Sequence, residues 1–164
     1  MTKLKALLFA LDNVVFINGA VDAARMHEFG RLIKYLTDRD VRPIVFANRS
    51  WTVTTKGQTE SARTHYSKIW GPKVKWYIAD EDGFPKKPQA DSLKYVLKKE
   101  GLTANEVVFL GNDEDDMRVA VNGNVLFLTA GWLAKPTDYG FQFESVKDVA
   151  RFIDLFCLRE HLWF

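Results

Sequence analysis

Side chains that could act on phosphate or bind a metal follow short apolar runs at several places in this chain. Asp12 comes just after one such run, Asn48 follows a second, and the acidic turn 111–116, Gly-Asn-Asp-Glu-Asp-Asp, follows a third. Lys87 directly precedes Pro88, a residue that favours the first turn of a helix. Carboxylate and amide oxygens suit Mg²⁺, and a lysine suits phosphoryl oxygens. These residue types could therefore contact a phosphoryl group and a cation, if the fold brings them together.

Short apolar runs alternate with segments of helical periodicity along the chain. The runs predict buried strands over residues 4–9, 41–47, 75–79, 107–110, 125–128 and 141–143. Apolar residues at helical spacing predict helices over residues 22–38, 60–70, 88–101 and 117–121. A last helix is capped by Ser145, with an inward face of Val146, Val149, Phe152, Ile153 and Phe156. The alternation is typical of an α/β fold, so we expect a Rossmann-like three-layer sandwich with a mainly parallel sheet.

Two shorter segments interrupt this alternation. An Asn18-Gly19 turn within residues 14–20 predicts a small hairpin, whereas residues 51–59 are polar and predict an irregular loop. Functional sites in parallel sheets lie beyond the carboxyl ends of the strands, so we expect the polar residues found there to meet in one pocket. The residues at or just past predicted strand ends are Ala10, Asp12, Asn48, Asn112 and Asp116.

The residues that follow the first strand, Asn48, Lys87 and the acidic turn 111–116 occur in this order within residues 4–130. Together they resemble the four dispersed motifs of the haloacid dehalogenase (HAD) superfamily, whose members are mostly phosphatases. The resemblance implies that Ala10 stands where these enzymes carry the nucleophilic aspartate, and that Asp12 is the acid/base. It assigns phosphate binding to Asn48 and Lys87, with the preceding Lys86 as an adjacent alternative. The charge of Arg49, in the loop that follows, suits a further substrate contact.

The same resemblance implies a Mg²⁺ site formed by the backbone carbonyl of Asp12, the carboxylate of Asp116 and the amide oxygen of Asn112, with Asp113 as a further candidate. Ala47 lacks the hydroxyl that normally contacts phosphate, and Asn112 replaces an aspartate. Mg²⁺ usually needs one or two carboxylates, so we expect weak binding. Loss of a covalent nucleophile commonly lowers turnover on the order of 10⁶-fold, so the chain is predicted to be inactive as written.

Two explanations of the alanine at the nucleophile position stay open. A deliberate substitution that traps substrate is favoured by an otherwise good first motif. Natural decay into a pseudophosphatase is favoured by Ala47 and Asn112. The rival to an enzyme is a binding or interaction module that kept the fold. A response-regulator-like receiver ranks last, because the adjacent acidic pair that follows the first strand of receivers is absent here.

Little room is left for a cap over the site. Predicted helices and strands fill most of the chain between Ala10 and Asn48, and again between Asn48 and Lys87. We therefore expect a single capless domain over residues 1–164, with residues 14–20 as a flap. An open site suits a macromolecular substrate, such as a nucleic-acid end or a phosphoprotein. In an oligomer, a neighbouring subunit would instead close the site over a small phosphorylated substrate.

Basic and aromatic residues are interleaved in and near the loop after Asn48. They are Arg49, Lys56, Arg63, Lys68, Lys73 and Lys75, together with Trp51, Tyr66 and Trp70. The mixture suits phosphate contacts and base stacking, or else forms a solvated face over ordinary core aromatics.

The composition of the chain limits the classes of function that it could have. The chain has 47% hydrophobic and 27% charged residues, which is typical of a water-soluble globular domain, and its net charge of +2 is too small to indicate nucleic-acid binding by itself. The lone Cys157 excludes an internal disulfide, and no apolar run approaches the roughly 20 residues that cross a membrane. We therefore expect a cytoplasmic protein with no membrane partner. The apolar ending Leu162-Trp163-Phe164 either packs on the domain or marks a cut from a longer protein.

Overall fold

Apolar strands alternate with amphipathic helices through the computed structural model, which describes residues 3–17, 20–21, 23–133, 135–136 and 138–158. The strands are β1 (Ala6–Phe9), β2 (Phe16–Ile17), β3 (Ala20–Val21), β4 (Arg42–Ala47), β5 (Thr52–Thr55), β6 (Gln58–Ser61), β7 (Lys75–Ile78), β8 (Val107–Gly111), β9 (Leu126–Ala130) and β10 (Phe141–Phe143). The helices are α1 (Ala23–Thr37), α2 (Ala62–Trp70), α3 (Ala79–Asp82), α4 (Ala90–Glu100), α5 (Glu114–Asn122) and α6 (Val146–Phe152). A 3₁₀ turn, Ala104–Glu106, precedes β8, and a π-helical segment, Ile153–Leu158, continues α6.

Within the described ranges, six strands form one parallel sheet in the order β10-β9-β8-β1-β4-β7. Every residue of β1 is fully buried, which is why its sequence is a continuous apolar run and not an alternating one. Helix α1 contacts α2 and α6, whereas α4 contacts α5. The predicted α/β fold, with a parallel Rossmann-like sheet flanked by helices, is confirmed.

The central strands of this sheet end side by side. Phe9, the last residue of β1, is level with Val45 of β4 and with Leu110 of β8. Because all three strands run in the same direction, the loops that leave them emerge at one edge. This carboxyl edge is where the predicted site residues lie.

The segment between β4 and α2 corrects one prediction. Residues 51–59 were expected to be irregular, but β5 and β6 pair there as an antiparallel hairpin. Lys56 and Gly57 form its turn, with φ of 53° and 78°, the two positive values that a tight hairpin turn needs. The run Thr-Val-Thr-Thr of β5 is rich in β-branched residues, which was the available signal. Helix α2 then begins after Ser61, whose side chain accepts the Thr64 N–H at 3.1 Å.

The smaller hairpin after β1 pairs as expected, with Phe16 opposite Val21 and Ile17 opposite Ala20. Its predicted Asn18-Gly19 turn lies outside the described residues, as does the apolar ending Leu162-Trp163-Phe164.

The last helix starts as predicted, because the Ser145 side chain accepts the Asp148 N–H at 3.1 Å. Val146, Val149 and Ile153 of its predicted inward face are buried as expected, whereas Phe156 is 48% exposed and the neighbouring Cys157 is buried. The π-helical segment explains the difference, since its wider turn takes more residues to return to the same face than an α-helix does.

The insertions at the carboxyl edge of the sheet are the two hairpins β2–β3 and β5–β6, and no larger cap is seen in the described part of the chain. Among the same residues, no helix is both long and apolar enough to cross a membrane.

Candidate functional site

A pocket opens at the carboxyl edge of the sheet, beyond β1, β4 and β8. Its lining residues come from four separate loops: Ala10, Leu11, Asp12, Ala47, Asn48, Lys87, Asp113, Asp115 and Asp116. The structure therefore brings together Ala10, Asp12, Asn48, Lys87 and Asp116, which are scattered in the sequence.

Ala10 is one of the residues that line this pocket. Its backbone N–H donates to the Leu110 carbonyl at 3.0 Å, which extends the pairing of β1 with β8 by one residue. The residue is 2% exposed, and its methyl group has no atom that could attack phosphorus or bind a cation.

The loop after Ala10 is tightly wound and directs Asp12 to the pocket. The Leu11 carbonyl accepts the N–H groups of Val14, Val15 and Phe16 at 3.2, 2.9 and 3.0 Å. Asn13 has a φ of 61°, in the left-handed region that asparagine tolerates better than most residues do.

Burial and nearby charge shift the pKa of Asp12 in opposite directions. Burial raises the pKa of its carboxyl group above the usual value, and the positive charge of Arg49 is the largest influence in the other direction. The Arg49 guanidinium stacks over the Trp51 ring, 4.7 Å from its centroid. Arg49 is not among the described residues that line the pocket, so the structure gives it an electrostatic influence there and no direct lining contact.

Asn48 is tied to the backbone of Lys87. The Lys87 N–H donates to Asn48 Oδ1 at 2.8 Å, and Asn48 Nδ2 donates back to the Lys87 carbonyl at 3.1 Å. This reciprocal pair fixes the turn before α4, which places the lysine side chain inside the pocket. Asn48 is thus a residue that positions Lys87, in addition to the phosphate contact predicted for it.

The Lys87 ammonium group is buried against an acidic partner. Its Nζ atom lies 2.6 Å from Asp116 Oδ1 and 3.0 Å from the Phe46 carbonyl oxygen. Both side chains of the pair are 4% exposed. The adjacent Lys86 instead lies at the surface, 2.9 Å from Asp80, so the pocket lysine is Lys87 and the alternative is not supported.

The acidic turn begins α5. Asp113 caps this helix, and its Oδ1 accepts the Asp116 N–H at 2.8 Å. Burial, followed by the nearby negative charge of Asp116, raises the pKa of Asp113 to about 6. Asp115 also lines the pocket, although sequence reasoning treated it only as part of an acidic run.

Asn112, predicted to offer its amide oxygen to Mg²⁺, makes a side-chain hydrogen bond through its amide nitrogen. It is 2% exposed, and its Nδ2 donates to the Ala130 carbonyl at 2.7 Å. It is also not among the described residues that line the pocket. Its amide nitrogen therefore joins the ends of β8 and β9, because the neighbouring strand presents an acceptor that the sequence does not reveal.

The basic and aromatic residues after Asn48 divide between surface and core. Tyr66 and Trp70 are buried, so they are core aromatics and not stacking platforms. Arg63 is engaged by Asp82 at 2.9 Å, and Lys68 by Glu60 at 2.8 Å. Arg63 and Lys68 therefore match the interpretation as a solvated face over core aromatics.

The residues of this pocket do not fit a resident Mg²⁺ as they stand. Asp116, the central predicted ligand, has Oδ1 engaged by Lys87 and Oδ2 by the Asn112 N–H at 3.1 Å. Position 10 contributes no carboxylate. Across the residues that the structure describes, no three His, Cys, Asp or Glu side chains are grouped so as to hold a metal ion.

Comparison with known proteins identifies the fold. No protein-family model matches the sequence, and a search of curated proteins found no match. Solved structures do match. A HAD-superfamily hydrolase from Ehrlichia chaffeensis has a TM-score of 0.66 and 13% identity, covering 94% of this chain and 98% of that one. A HAD-superfamily hydrolase of subfamily IA from Geobacter sulfurreducens has a TM-score of 0.58 and 15% identity, covering 92% and 96%.

A third match is the cobalt-bound deoxy-D-mannose-octulosonate 8-phosphate phosphatase YrbI from Haemophilus influenzae. It has a TM-score of 0.62 and 15% identity, covering 92% of this chain and 84% of that one. At these identities the similarity establishes the fold alone. The chain has the fold of HAD-superfamily hydrolases, as its dispersed motifs predicted.

Proposed function

We propose that this chain is a phosphohydrolase domain of the HAD type that has no nucleophile and therefore does not turn over phosphomonoesters. The observation that carries the proposal is the position of Ala10. It lies at the end of the central strand, in the same pocket as Asp12 and Lys87. A residue there faces the region where a phosphoryl group would be held, and alanine offers it no attacking oxygen.

The remaining residues match the other needs of phosphoryl transfer. Asp12 has a raised pKa, which suits a group that donates a proton to a leaving oxygen. Lys87 supplies the positive charge of the pocket, and Asn48 positions it. Without a nucleophile these groups have no covalent step to assist, so turnover is expected to be lower on the order of 10⁶-fold.

Mg²⁺ dependence is proposed only for a form with a carboxylate at position 10. In that form the new carboxylate would compete with Asp116 for Lys87, and the cation would be held by the two carboxylates and by the backbone carbonyl of Asp12. When bound, the cation offsets the repulsion between an anionic nucleophile and an anionic substrate.

The substrate class proposed is a phosphomonoester. The two short hairpins leave room for a macromolecular one, such as a nucleic-acid end or a phosphoprotein, and an oligomer would suit a small one. YrbI, by its description, acts on a small sugar phosphate. We also propose a cytoplasmic location, because the single cysteine of the chain, Cys157, cannot form an internal disulfide and suits a reducing compartment.

The second candidate is a binding or interaction module. It is favoured by the closed Lys87–Asp116 ion pair and by the diversion of the Asn112 amide to Ala130. In such a module the fold is retained, and the buried charged residues stabilise it instead of binding a substrate or a metal.

The test is restoration of the carboxylate by Ala10→Asp, measured with p-nitrophenyl phosphate and Mg²⁺. Ala10→Asn is the matched control, because it has the same shape without a nucleophilic oxygen. If even a thousandth of the effect of a nucleophile is recovered, Ala10→Asp exceeds Ala10→Asn about 10³-fold. Equal background rates for the two folded variants would reject the phosphohydrolase and leave the binding module.

A further inference from the structure

We infer that Lys87 is the built-in counter-charge of Asp116, so that Asp116, the central predicted ligand of the pocket, neither requires nor retains a divalent cation. This inference concerns the same pocket as the proposed function, but it rests on the Lys87–Asp116 geometry and not on any hydrolysis.

The pair is closed on both sides. Asp116 Oδ1 accepts from Lys87 Nζ at 2.6 Å, and Asp116 Oδ2 accepts the Asn112 N–H at 3.1 Å. Each side chain is 4% exposed, so neither charge relies on solvent. A cation that bound Asp116 would have to displace an ammonium group already at hydrogen-bond distance.

Lys87 is also held from several directions. Its Nζ donates to the Phe46 carbonyl at 3.0 Å and lies 4.9 and 5.1 Å from the ring centroids of Phe46 and Phe109. Its backbone is locked by the two hydrogen bonds with Asn48. The side chain therefore cannot leave Asp116 without exposing a buried carboxylate to an apolar wall, which is unfavourable.

Asp116 is packed just as closely. A Cβ atom placed on Gly111 would lie 2.7 Å from Asp116 Cβ and 2.8 Å from Oδ2, so the carboxylate fills the space beside the glycine. The backbone N–H of Asp116 is held by Asp113 at 2.8 Å. The carboxylate has little freedom to turn towards a different ligand.

The alanine at position 10 completes the argument. The ion pair made by Lys87 within 4 Å is the one with Asp116, since Ala10 offers it no competing carboxylate. One positive charge therefore meets one negative charge, and the pair is neutral without a metal.

The experiment is a Mg²⁺ titration of the full chain and of Lys87→Met, followed by thermal unfolding and calorimetry at constant ionic strength. Lys86→Met is the matched control, because it removes the same charge at the exposed neighbouring residue. We expect no saturable Mg²⁺ effect on the unmodified chain or on Lys86→Met. Lys87→Met should gain one, because Asp116 then lacks its counter-charge. At a hundredfold excess of Mg²⁺ over its Kd, that gain corresponds to a Tm increase of about 5–10 °C.

Saturable, stoichiometric Mg²⁺ binding by the unmodified chain would overturn the inference, and so would a folded Lys87→Met that stays indifferent to Mg²⁺. If Lys87→Met does not fold, the relaxation of water protons by Mn²⁺ is compared between the unmodified chain and Asp116→Asn. Equally weak relaxation in the two supports the inference. Stronger relaxation in the unmodified chain that is lost in Asp116→Asn refutes it. Failure of the proposed function is separate, because an inactive Ala10→Asp variant leaves these binding results unchanged.

Discussion

Breaking the buried ion pair between Lys87 and Asp116 should be among the most destabilising changes to this fold. With Nζ and Oδ1 2.6 Å apart, the direct Coulomb attraction is about 6 kcal/mol at an effective dielectric constant of about 20. Desolvation of both charges offsets part of it. Lys87→Met keeps most of the packing but leaves a buried carboxylate unpaired, which typically costs about 3–5 kcal/mol.

The double variant separates the pair from its individual residues. Asp116→Asn alone should also destabilise, because it leaves the ammonium of Lys87 without a counter-charge. Lys87→Met combined with Asp116→Asn removes both charges and keeps an acceptor for the Asn112 N–H. We expect it to be more stable than the sum of the single losses implies, by about 2–3 kcal/mol.

Urea unfolding followed by circular dichroism, with thermal scans in parallel, measures these free energies. For a chain of 164 residues, a loss of 3–5 kcal/mol corresponds to a Tm decrease of about 6–20 °C. Lys86→Met is the control: its partner Asp80 is at the surface, where such a pair contributes about 0–1 kcal/mol. If Lys87→Met were no less stable than Lys86→Met, or if the two pocket variants were simply additive, the buried pair would not stabilise the fold as argued.

Two further predictions concern other parts of the fold. Glu106 contacts Lys5 and caps its own turn, and these contacts, that with Lys5 foremost, lower the pKa of Glu106 from 4.5 to about 2. The stabilisation by the Glu106 carboxylate is therefore complete above pH 4.5 and is lost as the pH falls through 2. In urea titrations, the difference in unfolding free energy between the unmodified chain and Glu106→Gln should shrink over that pH interval. A difference that stays constant would contradict this prediction. Gly111→Ala places a Cβ within 2.7 Å of Asp116 and should destabilise the fold by about 1–3 kcal/mol. Gly30→Ala, which adds a Cβ in open space on α1, should stabilise the fold by about 0.5–1 kcal/mol. Stability changes of the same sign for both variants would refute the packing argument.

The strands at the centre of the sheet were predictable because burial on both faces demands uninterrupted apolar sequence. The runs that became β1, β4 and β8 carry this signal, and the polar residues that follow them mark where the strands end. Once the sheet is parallel, those ends must meet at one edge. For this reason the pocket of Ala10, Asp12, Asn48 and Asp116 could be predicted before any coordinates were known.

Two departures from prediction arose where local signals are weak. The β5–β6 hairpin depends on the positive φ of Lys56 and Gly57. Lysine rarely adopts a positive φ, so its presence in the sequence does not predict such a turn. The exposure of Phe156 depends on a π-helical segment, whose wider turn is a response to packing and leaves no periodic pattern in the sequence.

Residue types and their position after buried strands were determined by the sequence alone, because strand formation and burial depend on local patterns. The alanine at position 10 is likewise visible without a structure. Which charge faces which was decided only by tertiary structure. Lys87 and Asp116 are 29 residues apart, and their contact depends on how two loops pack over the same sheet edge. Asn112 turned to Ala130 for the same reason, since a buried amide bonds to whichever acceptor the folded neighbours place beside it.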